Sequence, residues 1–425
     1  MPKAEAYYYN LMDKTEKMAY HAILNGLNAQ AATIIVPRMD MRQITDLYFL
    51  LRLDHPEIFW SETFQCRFYQ NADSMELKPD YLYNKKQVKA HQQAMKSRIQ
   101  KLIRPALTLD EKSQQLYVHD FICQNVIYDK LKKPYSHEII GPLAHGIGVC
   151  EGIAKTVKVL CDALGLWCII PICDNNPEKG IKYRHTWNMF RFQGKYYHMD
   201  ATYDTSLSRP QSNANKKAEI SANGDKGTKK EKIFTNGDKR TKKEEISANG
   251  DKGTKKEEIP NNLSNNPHRQ NKNHNSSDSG DFLIRHDYVN IDDANFFRDH
   301  EPAIWKIPEC RDGKLRYYIE KKMSFTSYEE VRKRCAQAVR KKKPFLFHWR
   351  GGYLTRDVLL DLMTIFKEEA EKKGKSAILS LNWSQAVCLV RFRENHQEQI
   401  DSFTPPKTDI PEITIEQANE GESST

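Results

Sequence analysis

The sequence lacks a long apolar run. Its longest uncharged apolar stretch, residues 163–173, is bounded by Asp162 and Asp174 and is far shorter than the roughly 20 residues that a membrane-spanning helix needs. The first residues also lack the apolar segment of a secretory signal. We therefore expect a protein without membrane segments, located in the cytoplasm.

The sequence also lacks closely spaced cysteine pairs, and its excess positive charge is not gathered in one run. The nine cysteines are scattered and include no CxxC pair, which argues against a disulfide framework and a zinc ribbon. We expect neither a metal nor another cofactor. The net charge of +10 is spread over several predicted helices, as is usual for solvated faces, so a nucleic-acid partner is disfavoured.

Large apolar side chains are scarce between residues 211 and 281. A polar unit of 13 residues repeats there, with copies beginning at Lys216, Lys229 and Lys242. Each copy offers about one large apolar side chain, which is too few to offset the entropy of ordering the segment. We predict that residues 211–281 form a disordered surface loop.

The folded remainder reads as a succession of helical and mixed segments. Helical periodicity in residues 1–107 predicts a mainly helical region with helices at 15–27, 41–53 and 88–103 and a short strand at 64–69. Next, Thr108 and Glu111 fit a capping box, which predicts a helix at 109–126. The N-terminal region carries no chemical motif of its own.

The C-terminal part, residues 301–393, is predicted to be a small α+β unit. Strands are expected near 315–319, 345–349, 377–381 and 386–392, and helices at 328–340 and 355–372. The turn 350–353 (RGGY) is rich in glycine, but no Lys-Ser/Thr pair follows it, so it is not a P-loop. Residues 394–425 are acidic and are expected to form a tail.

Cys150 stands out among the cysteines because of its local setting. It follows the Gly-containing loop 146–149 and precedes a run with helical periodicity that ends at Gly165. At a helix N-terminus, unpaired N–H groups and the helix dipole stabilise a thiolate. The backbone N–H of Cys150 can also stabilise an oxyanion. The alternative is that Cys150 is an ordinary small core residue.

A predicted hairpin supplies a base and an orienting group for this thiol. Residues 186–192 and 195–202 alternate aromatic and polar side chains around a turn at Gln193 and Gly194. With this two-residue turn, His185 and Asp200 are diagonal neighbours on one face, within reach of a hydrogen bond. A three-residue loop would place them on opposite faces. In the favourable register, Asp200 holds one ring nitrogen of His185 and the other takes the proton from Cys150.

Several segments resemble successive motifs of the transglutaminase-like superfamily. They are 118–129 (VHDFICQNVIYD), 141–154 (GPLAHGIGVCEGIA), 184–188 (RHTWN) and 198–202 (HMDAT), followed after the insert by 287–293 (DYVNIDD). In bacterial members the last of these closely follows the Asp motif. The resemblance implies an α+β fold with a papain-like, transglutaminase-like catalytic core at residues 108–300, interrupted by the insert.

The resemblance also implies a site. It assigns Cys150 as nucleophile, His185 as base and Asp200 as the orienting residue, with no cofactor. The acidic calcium-binding loops of animal transglutaminases are not evident. A second oxyanion donor is not identified, and the candidates are Tyr128, His137 and Trp187.

Two classes of function follow from the sequence. In the first, the protein catalyses cysteine-dependent acyl transfer on a peptide or protein substrate through a thioester, which is resolved by water (protease or amidase) or by an amine (transglutaminase). Hydrolysis is favoured because nothing marks an amine site. In the second, the fold is a protein-interaction scaffold whose triad does not turn over. The sequence gives no oligomeric state.

Overall fold

The computed structural model of the protein describes residues 6–69, 72–176, 178, 184–209 and 282–394. The predicted disorder of residues 211–281 and the tail from residue 395 onwards lie outside these residues. Among the helices of the described ranges, none has the length and apolar composition needed to cross a bilayer.

The N-terminal region contains the predicted helices and also a small sheet. Its elements are α1 (Tyr7–Leu11), α2 (Lys14–Ala29), β1 (Ile34–Pro37), α3 (Met41–Asp54), β2 (Ser61–Phe68), β3 (Ser74–Tyr81) and α4 (Lys85–Ile103). The strands pair in the order β1-β3-β2. Asp13, Asp40 and Asn84 form capping boxes at the starts of α2, α3 and α4, which explains why these helices begin where they do.

The central segment mixes helices with short strands. It comprises α5 (Glu111–Asn125), β4 (Ile127–Tyr128), β5 (Ile147–Gly148), α6 (Cys150–Leu164), β6 (Cys168–Ile169), β7 (Ile172–Cys173), β8 (His185–Thr186), β9 (Asn188–Phe192), β10 (Lys195–Met199), α7 (Ala201–Ser208), β11 (Val289–Ile291) and α8 (Asp293–Phe296). A four-stranded sheet has the order β11-β10-β9-β6, and β7 pairs with β8. The predicted α+β class is confirmed.

The predicted capping box at the start of α5 is wrong. Asp110, not Thr108, is the N-cap, and its carboxylate accepts hydrogen bonds from the backbone N–H groups of Lys112 and Ser113. Both residues are good N-caps. Using Asp110 starts the helix at Glu111, so Glu111 cannot complete the predicted box.

The predicted hairpin register is confirmed. Phe192 pairs with Lys195, and the ladder continues to Asn188 opposite Met199. Gln193 and Gly194 both have positive φ, 51° and 74°, as the tightest hairpin turn requires.

The C-terminal unit is a sheet covered by two helices. It comprises α9 (Tyr317–Glu320), β12 (Ser324–Phe325), α10 (Tyr328–Arg340), β13 (Phe345–Trp349), α11 (Arg356–Glu371), β14 (Lys375–Asn382) and β15 (Val387–Glu394), with strand order β12-β13-β15-β14. The strand predicted at 315–319 is wrong, because that segment begins the helical turn α9. Five mostly apolar and aromatic residues do not distinguish a short strand from one helical turn.

The buried apolar residues show which parts pack together. One cluster extends from Tyr8 in α1 to Val289 in β11, so the N-terminal region and the central segment share a core. A separate cluster fills the C-terminal unit between its sheet and the helices α10 and α11. The shared core fixes the start of α6 against the N-terminal region.

Candidate active site

Cys150 is the first residue of α6. The preceding residue, Val149, caps the helix without a side-chain hydrogen bond, so the first-turn N–H groups are not satisfied by a cap. Cys150 is partly buried, as is Cys66, whereas the other cysteines are buried. The thiol therefore lies at a helix N-terminus, as the sequence predicts.

Gly152 allows the chain to pack closely over this helix start. A Cβ atom at Gly152 would lie 2.1 Å from the carbonyl oxygen of Ser136 and 3.0 Å from its carbonyl carbon. The backbone N–H of Val149 donates to the same carbonyl oxygen at 3.0 Å. Only glycine fits here, and the segment around Ser136 thereby fixes the position of Cys150.

A buried charge network anchors the same turn. Lys155 Nζ lies 2.7 Å from Glu151 Oε1 and 2.9 Å from Glu138 Oε1, and Arg52 pairs with Glu138. Burial would raise the pKa of Glu151, but Lys155, a hydrogen bond to His137 and the charge of Arg52 together keep this pKa below its usual range. The carboxylate next to Cys150 is thus neutralised by a fixed cation.

His185 and Asp200 are in direct contact. Asp200 Oδ2 lies 2.5 Å from His185 Nε2, while Asp200 Oδ1 accepts hydrogen bonds from the N–H groups of Thr202 and Tyr203 at 2.7 and 3.0 Å. Burial would raise the pKa of Asp200, but His185 lowers it well below its usual range. Asp200 is therefore a carboxylate held at the N-terminus of α7 and aimed at His185.

The thiol interacts with the same imidazole. Burial would raise the pKa of Cys150, but its hydrogen bond to His185 and the charge of that ring lower it below the ordinary value. For His185, burial opposes the charged form, yet Asp200 and Cys150 raise its pKa well above the ordinary value. Because Nε2 faces Asp200, Nδ1 is the ring nitrogen left for the thiol. The arrangement favours a thiolate and imidazolium pair.

The contact between His185 and Asp200 does not come from the strand ladder that the sequence predicts. The ladder of β9 and β10 ends at Asn188 and Met199. His185 instead pairs with Cys173 in the β7–β8 pair, and Asp200 is the N-cap of α7. The predicted strands, 186–192 and 195–202, are thus too long, because Asp200 caps a helix.

His300 also contacts Asp200, and sequence reasoning missed it. Its Nε2 lies 3.0 Å from Asp200 Oδ2, and its Nδ1 lies 2.8 Å from Asp299 Oδ1. The ring is buried and stacks on Phe296 with centroids 3.9 Å apart. No local pattern marks His300, which follows Asp200 in the chain by 100 positions across the insert.

Trp187 does not have a free indole N–H for an oxyanion. Its Nε1 donates to His198 Nδ1 at 3.0 Å, and His198 Nε2 lies 2.8 Å from Asp293 Oδ1. Trp187 is therefore removed from the candidates for the second oxyanion donor. Tyr128 and His137 stay candidates.

A second set of thiol, imidazole and carboxylate lies in the core. Cys123 Sγ is 3.6 Å from His119 Nε2, which is 3.1 Å from Asp204 Oδ2. All three residues are fully buried, so a substrate cannot reach this thiol. Partial exposure distinguishes Cys150 from Cys123.

Within the described residues, three groups of side chains offer donor atoms close enough together for a metal ion. They are His119, Asp120 and His286; His185, Asp200 and His300; and His198, Asp293 and Cys310, with the donor atoms of each group within 4.8 Å of one another. In each group the histidines already share hydrogen bonds with a carboxylate. Their chemistry is that of hydrogen-bonded imidazole and carboxylate pairs.

Comparisons with known proteins agree with the motifs. Residues 98–201 match the family model of the transglutaminase-like superfamily, which supports a cysteine-based catalytic family for this segment. The predicted resemblance is confirmed. Enzymes of this superfamily act on protein or peptide substrates. No curated protein matches the chain.

Two of the solved structures that match are similar to the chain over about a third of its length. One is the crystal structure of a TGase, with 14% identity and a TM-score of 0.21 over 36% of this chain and 47% of that chain. The other is a Cytophaga hutchinsonii protein proposed to be a cysteine protease, with 14% identity and a TM-score of 0.20 over 33% of this chain and 62% of that chain. The match thus spans less than two thirds of either structure.

Proposed function

We propose that the protein is a cysteine acyl-transfer enzyme that acts on an amide group of a peptide or protein. The observation that carries this proposal is the chain of contacts from Cys150 through His185 to Asp200. In it, a partly exposed thiol at a helix start has a lowered pKa, and its imidazole partner is held by a buried carboxylate. The three residues act as nucleophile, base and orienting group.

In the first half-reaction, the thiolate of Cys150 attacks the carbonyl carbon of the amide and forms a C–S bond. The developing oxyanion accepts a hydrogen bond from the backbone N–H of Cys150. The imidazolium of His185 then donates its Nδ1 proton to the leaving nitrogen. The C–N bond breaks, amine or ammonia departs, and a thioester remains.

In the second half-reaction, neutral His185 removes a proton from water as the water oxygen attacks the thioester. Collapse of the adduct releases the carboxylic acid and restores the thiolate and imidazolium pair. A primary amine in place of water gives a new amide, which is the transglutaminase outcome. Hydrolysis is favoured because no amine site is marked in the sequence.

Competitive alkylation tests the nucleophile. At about pH 6 an ordinary thiol is almost wholly protonated and alkylates slowly, whereas an ion-paired thiolate reacts freely. Mass spectrometry after iodoacetamide treatment of the folded protein should find Cys150 labelled first. Cys66 is the internal reference, because it too is partly exposed and burial raises the pKa of its thiol. His185→Ala should lose most of the selectivity.

Turnover is tested with casein as the amide source. Peptide cleavage or ammonia release is measured without added amine, and incorporation of a fluorescent primary amine is measured in parallel. Cys150→Ser is the control for both. Selective labelling without either product would support the scaffold function, and labelling of Cys150 no faster than Cys66 would remove the enzyme proposal altogether.

A further inference from the structure

A large cleft lies between the central segment and the C-terminal unit, away from Cys150. Its volume is about 2260 Å³, and its walls come from the β9–β10 turn, α8, the segment around Arg316, the end of β13 and the β14–β15 turn. A space of this size is an open groove rather than a packing defect.

Four arginines line this cleft. Arg311 is paired with Glu309, and the other three are Arg298, Arg316 and Arg350. Arg316 is buried, and its Nη2 donates to the backbone oxygen of Gln385 at 2.8 Å. Arg298 Nη1 donates to the backbone oxygen of Ser384 at 3.4 Å. Over the described ranges, none of the three forms an ion pair with a carboxylate. Two of the guanidinium groups are therefore anchored by neutral carbonyl oxygens, although the charges of Asp287 and Asp292 act on Arg316.

Two buried N–H donors in this cleft have no partner. Arg316 Nε and Trp349 Nε1 are both buried without a hydrogen bond to any described group. Native proteins rarely leave buried donors unpaired. Two such donors beside the same cleft indicate a place where an acceptor from outside the chain binds.

The turn after β13 fixes one of these donors. A Cβ atom at Gly351 would lie 2.4 Å from the Trp349 ring and 2.6 Å from the carbonyl oxygen of Thr326. The following Gly352 has a φ of 112°, which glycine adopts without strain. The two glycines thus allow Arg350 to lie next to a fixed indole. Close packing and a positive φ therefore explain the two glycines of the turn 350–353, without a P-loop.

The acidic side chains of the cleft are already engaged by other groups. Asp293 contacts His198, Asp312 contacts Lys195, Glu309 contacts Arg311, and Asp292 accepts hydrogen bonds from Asn295. His348 adds no charge, because burial and then the charges of Arg316, Arg350 and Arg298 lower its pKa to about 2. The three guanidinium groups are therefore close enough to His348 for their charges to affect it. Asn295 and His198 do not neutralise Asp292 and Asp293, because one is an amide and burial lowers the pKa of the other. The lining is still net positive, because four cations without an ion pair in the described ranges outnumber these two carboxylates: Arg298, Lys314, Arg316 and Arg350.

We propose that this cleft binds a small organic phosphate through its pyrophosphate group, with Arg298, Arg316, Arg350 and Trp349 as the donors. Guanidinium groups bind phosphate oxygens in bidentate fashion, and several of them together suit a ligand with more than one negative charge. Tyr353 and Trp383 also line the cleft and provide aromatic surface for a planar group such as a nucleobase. The site is independent of the thiol chemistry.

Isothermal titration of the full-length protein with sodium pyrophosphate tests the proposal. We expect saturable binding with one site. Arg350→Ala and Arg298→Ala should each weaken binding by about tenfold, as expected for loss of one charge-assisted contact. Arg340→Ala, an exposed arginine at the end of α10 outside the cleft, removes the same charge and should leave the affinity unchanged.

Further variants and ligands in the same titration show which groups of the cleft bind the ligand. Trp349→Phe keeps the ring and removes one donor, so it should weaken binding by severalfold. ADP binding more tightly than pyrophosphate would identify the aromatic surface as a base site, whereas equal affinities would limit recognition to the phosphates. Cys150→Ser should bind pyrophosphate as the wild type does. Absence of saturable binding, or equal weakening by Arg340→Ala and Arg350→Ala, overturns the proposal.

Discussion

His185 and His300 bind the same oxygen of one carboxylate. Their Nε2 atoms lie 2.5 and 3.0 Å from Asp200 Oδ2. Burial would lower the pKa of His300, but its hydrogen bonds to Asp200 and Asp299 raise it above the ordinary value, while the charge of His185 opposes this rise. The orienting carboxylate is thus shared between the candidate base and a second imidazole.

This sharing predicts that His300 is a positioning residue. His300→Phe removes a charge-assisted hydrogen bond to Asp200, which contributes about 1.5–3 kcal/mol, so turnover should fall by about tenfold or more. It also removes a charge that opposes protonation of His185, so the alkaline limb of the pH–rate profile should move to higher pH.

Two further variants distinguish this role from a purely structural one. His300→Gln retains a neutral donor and should keep more activity than His300→Phe. His286→Phe replaces another buried histidine, which contacts Asp120 at 2.8 Å and stacks on Tyr317; it should affect only stability. An unchanged pH profile in His300→Phe would contradict the positioning role.

The pH dependence of alkylation should reveal the balance that sets the pKa of Cys150. Burial is the largest single influence and raises this pKa, but His185 and Thr186 together lower it below the ordinary value. In the wild type, the rate at which iodoacetamide alkylates Cys150 should therefore rise with pH. It should reach half its maximum at a lower pH than the rate for Cys66 does. In His185→Ala the imidazolium is lost while burial, the helix end and the hydrogen bonds to Thr186 remain, so the midpoint should move upward. A midpoint that stays in place would mean that His185 does not stabilise the thiolate.

Gly152 provides a test of how the helix start is held. Gly152→Ala places a methyl group against the Ser136 backbone, and overpacking of this kind costs about 1–3 kcal/mol. We expect a melting temperature lower by several degrees and a loss of selective Cys150 labelling. The matched control is Gly165→Ala at the other end of α6, where φ is 81°. Gly165→Ala should lower the melting temperature because alanine is strained at a positive φ, but Cys150 should still be labelled selectively.

The two sides of the insert lie next to each other. Leu283 N donates to Ser208 O at 3.4 Å, and Arg285 N donates to Ser208 Oγ at 2.8 Å. A short Gly/Ser linker in place of residues 211–280 can therefore join the two sides. Each halving of a flexible loop recovers about 0.6 kcal/mol, so the melting temperature should stay the same or rise slightly. A clear fall, or protection of these amides from hydrogen exchange, would contradict the predicted disorder.

The sequence predicts the local parts of the site well. The β9–β10 register follows from alternation around Gln193 and Gly194, and the start of α6 follows from a glycine loop before a periodic run. Both depend on neighbours in the chain. His300 could not be predicted in this way, because its contact with Asp200 depends on how the chain returns after the insert. The N-cap of α5 was mispredicted because Thr108 and Asp110 compete for one helix start, and only packing decides between them.

The C-terminal unit reaches back to the carboxylates around the candidate site. Asn382 Nδ2 donates to Asp287 Oδ2 at 3.0 Å, and Gln385 Nε2 donates to Asn295 O at 3.0 Å and to Asp299 Oδ1 at 3.4 Å. A fragment cut after His300 would hold Cys150, His185 and Asp200 and yet lose both amides. It would leave Asp287 buried with fewer donors and Asp299 less firmly placed against His300. We therefore expect that a fragment which keeps the triad in its native geometry must extend through the β14–β15 turn, well beyond the segment that carries the superfamily motifs.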